Sequence, residues 1–128
     1  MAVYCGTDII SVERIQKSIE ELGDTFVKRI YTDEEIEYCE SKRMCKYQSY
    51  AARFAAKEAA YKAFSPETMD EITWHDAEIT KKQNGKPVMK LNGKLAKLAD
   101  ERGFKAEDID VSLSHDAVYA TATVVINK

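Results

Sequence analysis

YQSYAARFAAKEAAYKAF, Tyr47 to Phe64, is a stretch with no helix breaker until Pro66, and alanine recurs in it at 52, 56, 59, 60 and 63. At about 100° per residue those alanines fall on one side of a helix, where small side chains let another element approach closely. The opposite side gathers Arg53, Phe54, Lys57, Glu58, Tyr61 and, at its margin, Lys62. Basic groups, an acid and aromatics are thereby predicted to share one surface, the first candidate for a functional site.

Outward from this helix, Val3 to Asp8 reads as a short strand running into a turn at Gly6. Ser11 and Arg14 begin a helix with Ile15, Ile19 and Leu22 on its inner side, and Thr32 caps a second helix. Asp33, Glu34 and Glu35 there suit the positive helix N-terminus. In the second half the period changes. Glu78 to Thr80 and Pro87 to Leu91 flank Asn84-Gly85, a tight-hairpin signal. Asn92 caps a helix through Arg102, ended by Gly103. Asp110 to Ser114 and Ala117 to Ile126 form a last strand pair rich in Val, Ile, Thr and Tyr. Helices first and strands later predict an α+β fold with the long alanine-rich helix packed on an antiparallel sheet. With 128 residues and no linker, repeat or low-complexity tract, residues 1–128 read as one domain.

The chain carries 19 Lys and Arg against 22 Asp and Glu, a net charge of −3 that argues against bulk attraction to nucleic acid or an anionic membrane. The distribution is uneven. Lys42, Arg43, Lys46, Arg53, Lys57 and Lys62 face one acid, Glu58, within residues 42–62, so that stretch is predicted to draw an anionic ligand or partner. The longest unbroken apolar run, Met1 to Cys5, is far short of a membrane span, and no signal-type segment opens the chain; a cytosolic protein is expected. Cys5, Cys39 and Cys45 include no Cys-x-x-Cys pair and lie far in sequence from His75 and His115, which reads as idle thiols in a reducing compartment rather than a zinc site.

Asp8 follows a strand, and Glu58 sits mid-helix among cations. Two carboxylates from separate elements are the least a Mg²⁺ ion requires of a protein when phosphate oxygens and waters complete its shell. Read singly, Asp8 also suits a turn or cap, and Glu58 an ion pair with Lys62, four residues on. A phosphate entering between Glu58 and Lys62 meets metal charge and ammonium together, an arrangement suited to phosphoryl transfer. No Walker loop, Gly-x-Gly-x-x-Gly or kinase catalytic loop is present. His115, beside Ser112 and Ser114, has no serine elbow or acid partner that would make a triad.

Taken in order, Gly6-Thr7-Asp8-Ile9-Ile10 with Glu13-Arg14-Ile15, Arg29-Ile30-Tyr31-Thr32, Arg53-Phe54-Ala55-Ala56-Lys57-Glu58-Ala59 with Lys62-Ala63, Asn84-Gly85-Lys86-Pro87, and Ser112-Leu113-Ser114-His115 resemble the holo-acyl-carrier-protein synthase family, the small trimeric 4′-phosphopantetheinyl transferases. Order and spacing match over the whole chain, and the Arg-Phe-x-x-Lys-Glu-Ala segment and early Gly-x-Asp are the specific parts.

The resemblance implies a Mg²⁺-dependent enzyme of fatty acid biosynthesis that moves the phosphopantetheine arm of coenzyme A onto a serine of an apo acyl carrier protein. It implies that Asp8 and Glu58 hold the metal and that Lys62 adds charge at the phosphate; the carrier serine also requires a proton acceptor, for which Glu58, through a metal-bound water, is the favoured residue. Arg53, His115 and the turn of Asn84, Gly85, Lys86 and Pro87 are implied contacts to the nucleotide end, and Arg14 a contact to the acidic carrier. Homotrimers with clefts between protomers are implied as well. Where the family commonly has a glycine-rich loop after the long helix, this chain has Ser65-Pro66-Glu67-Thr68. Another Mg²⁺-dependent enzyme of nucleotides or pyrophosphate, or a non-catalytic trimeric binding module, would draw on the same charged residues.

Overall fold

The computed structural model describes residues 1–128. A first strand, β1 (Val3–Ser11), leads into three short helices, α1 (Val12–Leu22), α2 (Asp24–Ile30) and α3 (Asp33–Ser41), and then into the long α4 (Lys46–Phe64). The hairpin β2 (Ala77–Lys81) and β3 (Pro87–Leu91), helix α5 (Gly93–Arg102) and the pair β4 (Ile109–His115) and β5 (Tyr119–Asn127) complete the chain. The expected α+β architecture is present, with two antiparallel sheets: β1-β5-β4, and the hairpin β2-β3.

Helix α4 lies across one face of the three-stranded sheet, and Gly6 explains how closely. A Cβ at Gly6 would sit 2.0 Å from the Ala59 carbonyl oxygen and 2.7 Å from the Ala63 nitrogen, so backbone meets backbone there. The alanine stripe is buried on the helix side of this contact, from Ala52 through Ala63. Gly6 is thus mid-strand, paired with Val124, and not in a turn; β1 runs three residues past the predicted end at Asp8. Side chains alternate along a strand, so Gly6, Asp8 and Ile10 face α4 together while Thr7 and Ile9 face away.

The local ends follow the sequence with instructive exceptions. Ser11 caps α1, accepting from the Arg14 N–H, and Thr32 with Glu35 forms a reciprocal capping box on α3. The seven-residue α2 was hidden because so short a helix offers barely two turns of periodicity. Asn92 occupies the N-cap of α5 but makes no side-chain cap bond; the Asp76 carboxylate accepts from Leu95 N–H instead, and Asn92 reaches the His75 carbonyl and Glu78. The hairpin loop runs Lys82 to Lys86, closed by Lys82 N–H on the Lys86 carbonyl. Gly85 has φ +86°, and Asn84 Oδ1 accepts the Lys86 N–H.

Candidate active site

The single surface expected on α4 divides in two. Five residues along a helix turn the chain by about 140° net, so Arg53 and Glu58 project to different sides. Phe54, Glu58, Tyr61 and Lys62 line open hollows, whereas Lys57 is fully buried and Arg53 is 3% exposed. The basic run of residues 42–62 is therefore not one solvated patch.

Lys57 points beneath the helix, where its ammonium donates to Glu35 Oε1 at 2.8 Å, to the Trp74 carbonyl at 3.0 Å and to the Ala77 carbonyl at 2.8 Å. Glu35 also accepts Thr32 N–H and Ile79 N–H. Burial pushes the Lys57 ammonium below its ordinary range, and Glu35 acts in the opposite direction. Two buried opposite charges, hydrogen-bonded on every side, are tolerated only as a unit. This pair was missed from the sequence, where Glu35 signals a cap and Lys57 a solvated face.

On the open side, strand alternation delivers Asp8 to α4. Lys62 Nζ lies 3.1 Å from Asp8 Oδ1 and donates to the Thr7 carbonyl at 3.0 Å, so the lysine pairs with Asp8 rather than with Glu58, its expected i,i+4 partner. Burial, with the Asp8 charge beside it, raises the Glu58 carboxyl above the usual range, and Lys62 only partly offsets this. Glu58 separates two hollows. One, of about 400 Å³, is lined by Asp8, Arg14, Phe26, Phe54 and Glu58, with Arg14 exposed at its edge. The other, of about 360 Å³, is lined by Glu58, Tyr61, Lys62, Met69, Ile72, Thr73 and Trp74. Trp74 is half-buried: it stacks on Phe54 at 5.0 Å, meets Tyr61 edge-on at 5.7 Å and walls this second hollow.

The remaining predicted residues lie elsewhere on the chain. His115 is exposed at the end of β4, its Nδ1 2.9 Å from Gln48 Oε1 near the start of α4. Gln48 and Glu58 are ten residues apart, about 15 Å along the helix axis. Asn84, Gly85 and Lys86 are exposed at the hairpin tip, with Pro87 opening β3 and Lys86 Nζ 2.7 Å from Asp110. Arg53 stacks its guanidinium over the Tyr38 ring at 4.0 Å, and its Nε has no partner. Lys42 and Lys81 also stand over that ring, at 4.8 and 4.5 Å, and Lys81 reaches the Tyr38 hydroxyl. Burial opposes ionisation of Tyr38, yet the bonds and charges of Lys81 and Lys42 leave its hydroxyl below the usual tyrosine range. Sequence reasoning had no means of bringing Tyr38 and Lys81, 43 residues apart, to Arg53.

Two carboxylates and a lysine around adjoining hollows supply the chemistry that an anion accompanied by a divalent cation would require. No group of three or more His, Cys, Asp or Glu side chains gathers in the chain, so the protein offers no complete cage. The like-charged, partly buried pair of Asp8 and Glu58 nevertheless fits a hard cation whose other ligands come from a substrate phosphate and water.

Residues 4–122 match the family model of the 4′-phosphopantetheinyl transferase superfamily. Holo-[acyl-carrier-protein] synthase of Ruminiclostridium cellulolyticum is 47% identical over 127 residues, 99% of this chain and 93% of the relative. That of Koribacter versatilis is 43% identical, covering 98% of both. Among solved structures, holo-[acyl-carrier-protein] synthase of Neisseria meningitidis superposes with a TM-score of 0.85 at 30% identity, covering 98% of each chain. The Helicobacter pylori enzyme in complex with coenzyme A superposes with a TM-score of 0.81 at 31% identity, covering 96% of this chain and 99% of that one. The chain belongs to the 4′-phosphopantetheinyl transferase superfamily and, within it, to the holo-[acyl-carrier-protein] synthases, enzymes that act on acyl carrier protein.

Proposed function

We propose that this enzyme transfers 4′-phosphopantetheine from coenzyme A to a serine of apo acyl carrier protein in a Mg²⁺-dependent reaction that serves fatty acid biosynthesis. The observation that carries this reading is the meeting of Asp8, Glu58 and Lys62 between two hollows, one edged by Arg14 and the other walled by Trp74. Asp8 and Glu58 would hold the cation, which when bound supplies neutralising charge at the pyrophosphate. Lys62, already anchored on Asp8, offers its ammonium to the same oxygens. Glu58, through a bound water, would accept the proton of the carrier serine. Arg14 faces the carrier, and the hollow it edges gives the incoming serine a path to Asp8 and Glu58.

The nucleotide end is assigned to His115, to Asn84, Gly85, Lys86 and Pro87, and to Arg53. For Arg53 the support is the Tyr38 cluster, in which Lys42 and Lys81 add two further cations around the ring on which the buried guanidinium stacks. His115, held on Gln48, lies about 15 Å along α4 from Glu58, which supports a homotrimer in which the two halves of one site come from neighbouring protomers. The sheet face turned away from α4 supports it too: Val3, Cys5, Thr7, Ile9, Thr123 and Tyr119 leave its β1–β5 side exposed and uncharged, with Asp110 and Lys86 paired at the β4 edge. All three cysteines are free, and no helix is long and apolar enough to cross a membrane; we place the enzyme in the cytoplasm.

Incubation with a fluorescent coenzyme A analogue, Mg²⁺ and apo carrier protein tests the reading. Label on the carrier only when all three are present is the expected result. Turnover of the analogue without any carrier would reassign the protein to nucleotide or pyrophosphate chemistry, and binding without turnover to a binding module.

A further inference from the structure

We propose that Lys57 is a positioning residue for the donor site, acting through Trp74. The proposal rests on the reading above, in which Glu58 and Lys62 receive the pyrophosphate, and concerns the hollow into which the rest of the donor then extends. Lys57 precedes Glu58, yet its ammonium lies on the far side of the helix and spends two of its three protons on the carbonyls of Trp74 and Ala77. The third goes to Glu35, which is fixed in turn by Thr32 N–H and Ile79 N–H. Residues 74–77 are thereby fastened to α4 from beneath, while the Tyr61 hydroxyl donates to the Thr73 carbonyl from the open side. Between these fastenings stands the Trp74 ring, braced by Phe54 and Tyr61 and forming the wall of the hollow opposite Glu58 and Lys62.

The occupant follows from the lining. The hollow includes Glu58 and Lys62, the charges assigned to the pyrophosphate end, and beyond them it offers Tyr61, Met69, Ile72 and Trp74 with two hydroxyls, those of Thr73 and Tyr61. That chemistry suits the flexible, uncharged, amide-bearing arm of the donor and not its adenine nucleotide. The segment that joins Trp74 to the end of α4 has no helix or strand of its own: residues 65–72 form no regular structure, and Ser65 and Glu71 adopt positive φ of 43° and 67°. Trp74 opens a short 3-10 turn that leads into β2, and the buried ammonium, on the carbonyls at both ends of that turn, ties it to α4 and sets where the wall stands.

Trp74 is the single tryptophan of the chain, so its emission reports the wall directly. The paired variant Lys57→Met with Glu35→Gln removes both buried charges together and avoids stranding one of them. In this variant the emission of the free protein is expected to shift to longer wavelength. KM for coenzyme A should rise about five- to tenfold with kcat within about threefold, and the Mg²⁺ concentration dependence should stay unchanged. Wild-type emission together with a wild-type donor KM would overturn the proposal, since a merely structural pair changes only thermal stability. Should the paired variant not fold, Trp74→Leu decides: a KM rise of about fivefold supports the wall, and an unchanged KM overturns it. A wild-type protein that fails to modify any carrier defeats the proposed function instead, and the emission shift of the unliganded variant still reports whether Lys57 holds Trp74.

Discussion

Glu58 carries a cost in the free protein that the bound cation is expected to remove. Its carboxyl is raised by burial and by Asp8, so the folded state holds its proton at pH values where the unfolded chain has released it. The stability tied to that proton is complete below the ordinary glutamate range and declines as pH rises through the raised value. Glu58→Gln should therefore raise Tm at neutral pH without Mg²⁺ by about 1–4 °C, with the gain vanishing near pH 4. The same substitution should abolish the rise in wild-type Tm on adding Mg²⁺, both effects being read by calorimetry. Arg14 presents a different case, exposed and free of ion pairs. An acidic carrier and a chain of net charge −3 associate only through local positive charge, so Arg14→Glu should raise KM for the carrier about tenfold and flatten its salt dependence. Coenzyme A affinity should be unaltered; a parallel loss of both would place Arg14 in the donor site.

Strand β1 and helix α4 are the elements on which the site depends, because their backbone contact at Gly6 sets where Asp8 meets Lys62. Gly6→Ala forces a methyl against the Ala59 carbonyl at 2.0 Å, and with backbone on both sides nothing can yield cheaply. A loss of at least about 3 kcal/mol is expected in urea denaturation, against a few tenths for the same change at an exposed strand position. Much of this architecture is legible in the sequence: the alanine stripe, the caps at Ser11 and Thr32, and the change of period in the second half mark the elements. What stays hidden are pairings between distant segments. Lys57 reads as a surface cation until Glu35 is brought beneath it, and Gly6 reads as a turn until α4 is laid across it. Asp8 and Glu58 stand out through their setting, whereas the preference of Lys62 for Asp8 depends on strand direction that no i,i+4 rule contains.

Across the whole molecule, the residues assigned to one donor are spread from His115, beside the start of α4, to Glu58 and Lys62 in its second half, and the β1–β5 side of the sheet is left exposed and uncharged. If neighbouring protomers complete each site, a mixture of inactive Asp8→Asn and inactive His115→Ala chains, unfolded and refolded together, should recover part of the wild-type rate. Refolded separately and combined without exchange, they should stay inactive. Light scattering should give three times the 14.5 kDa chain mass. A fully active monomer would instead require His115 and Glu58 to serve different ligands. The central claim is that Asp8 and Glu58 together make metal-dependent phosphopantetheine transfer possible, and the intact mass of the carrier protein tests it most directly. After incubation with coenzyme A and Mg²⁺, apo carrier should gain one phosphopantetheine with the wild-type chain, and none in EDTA or with the Asp8→Asn, Glu58→Gln double variant. Full conversion by that variant, or by the wild type in EDTA, would contradict the account.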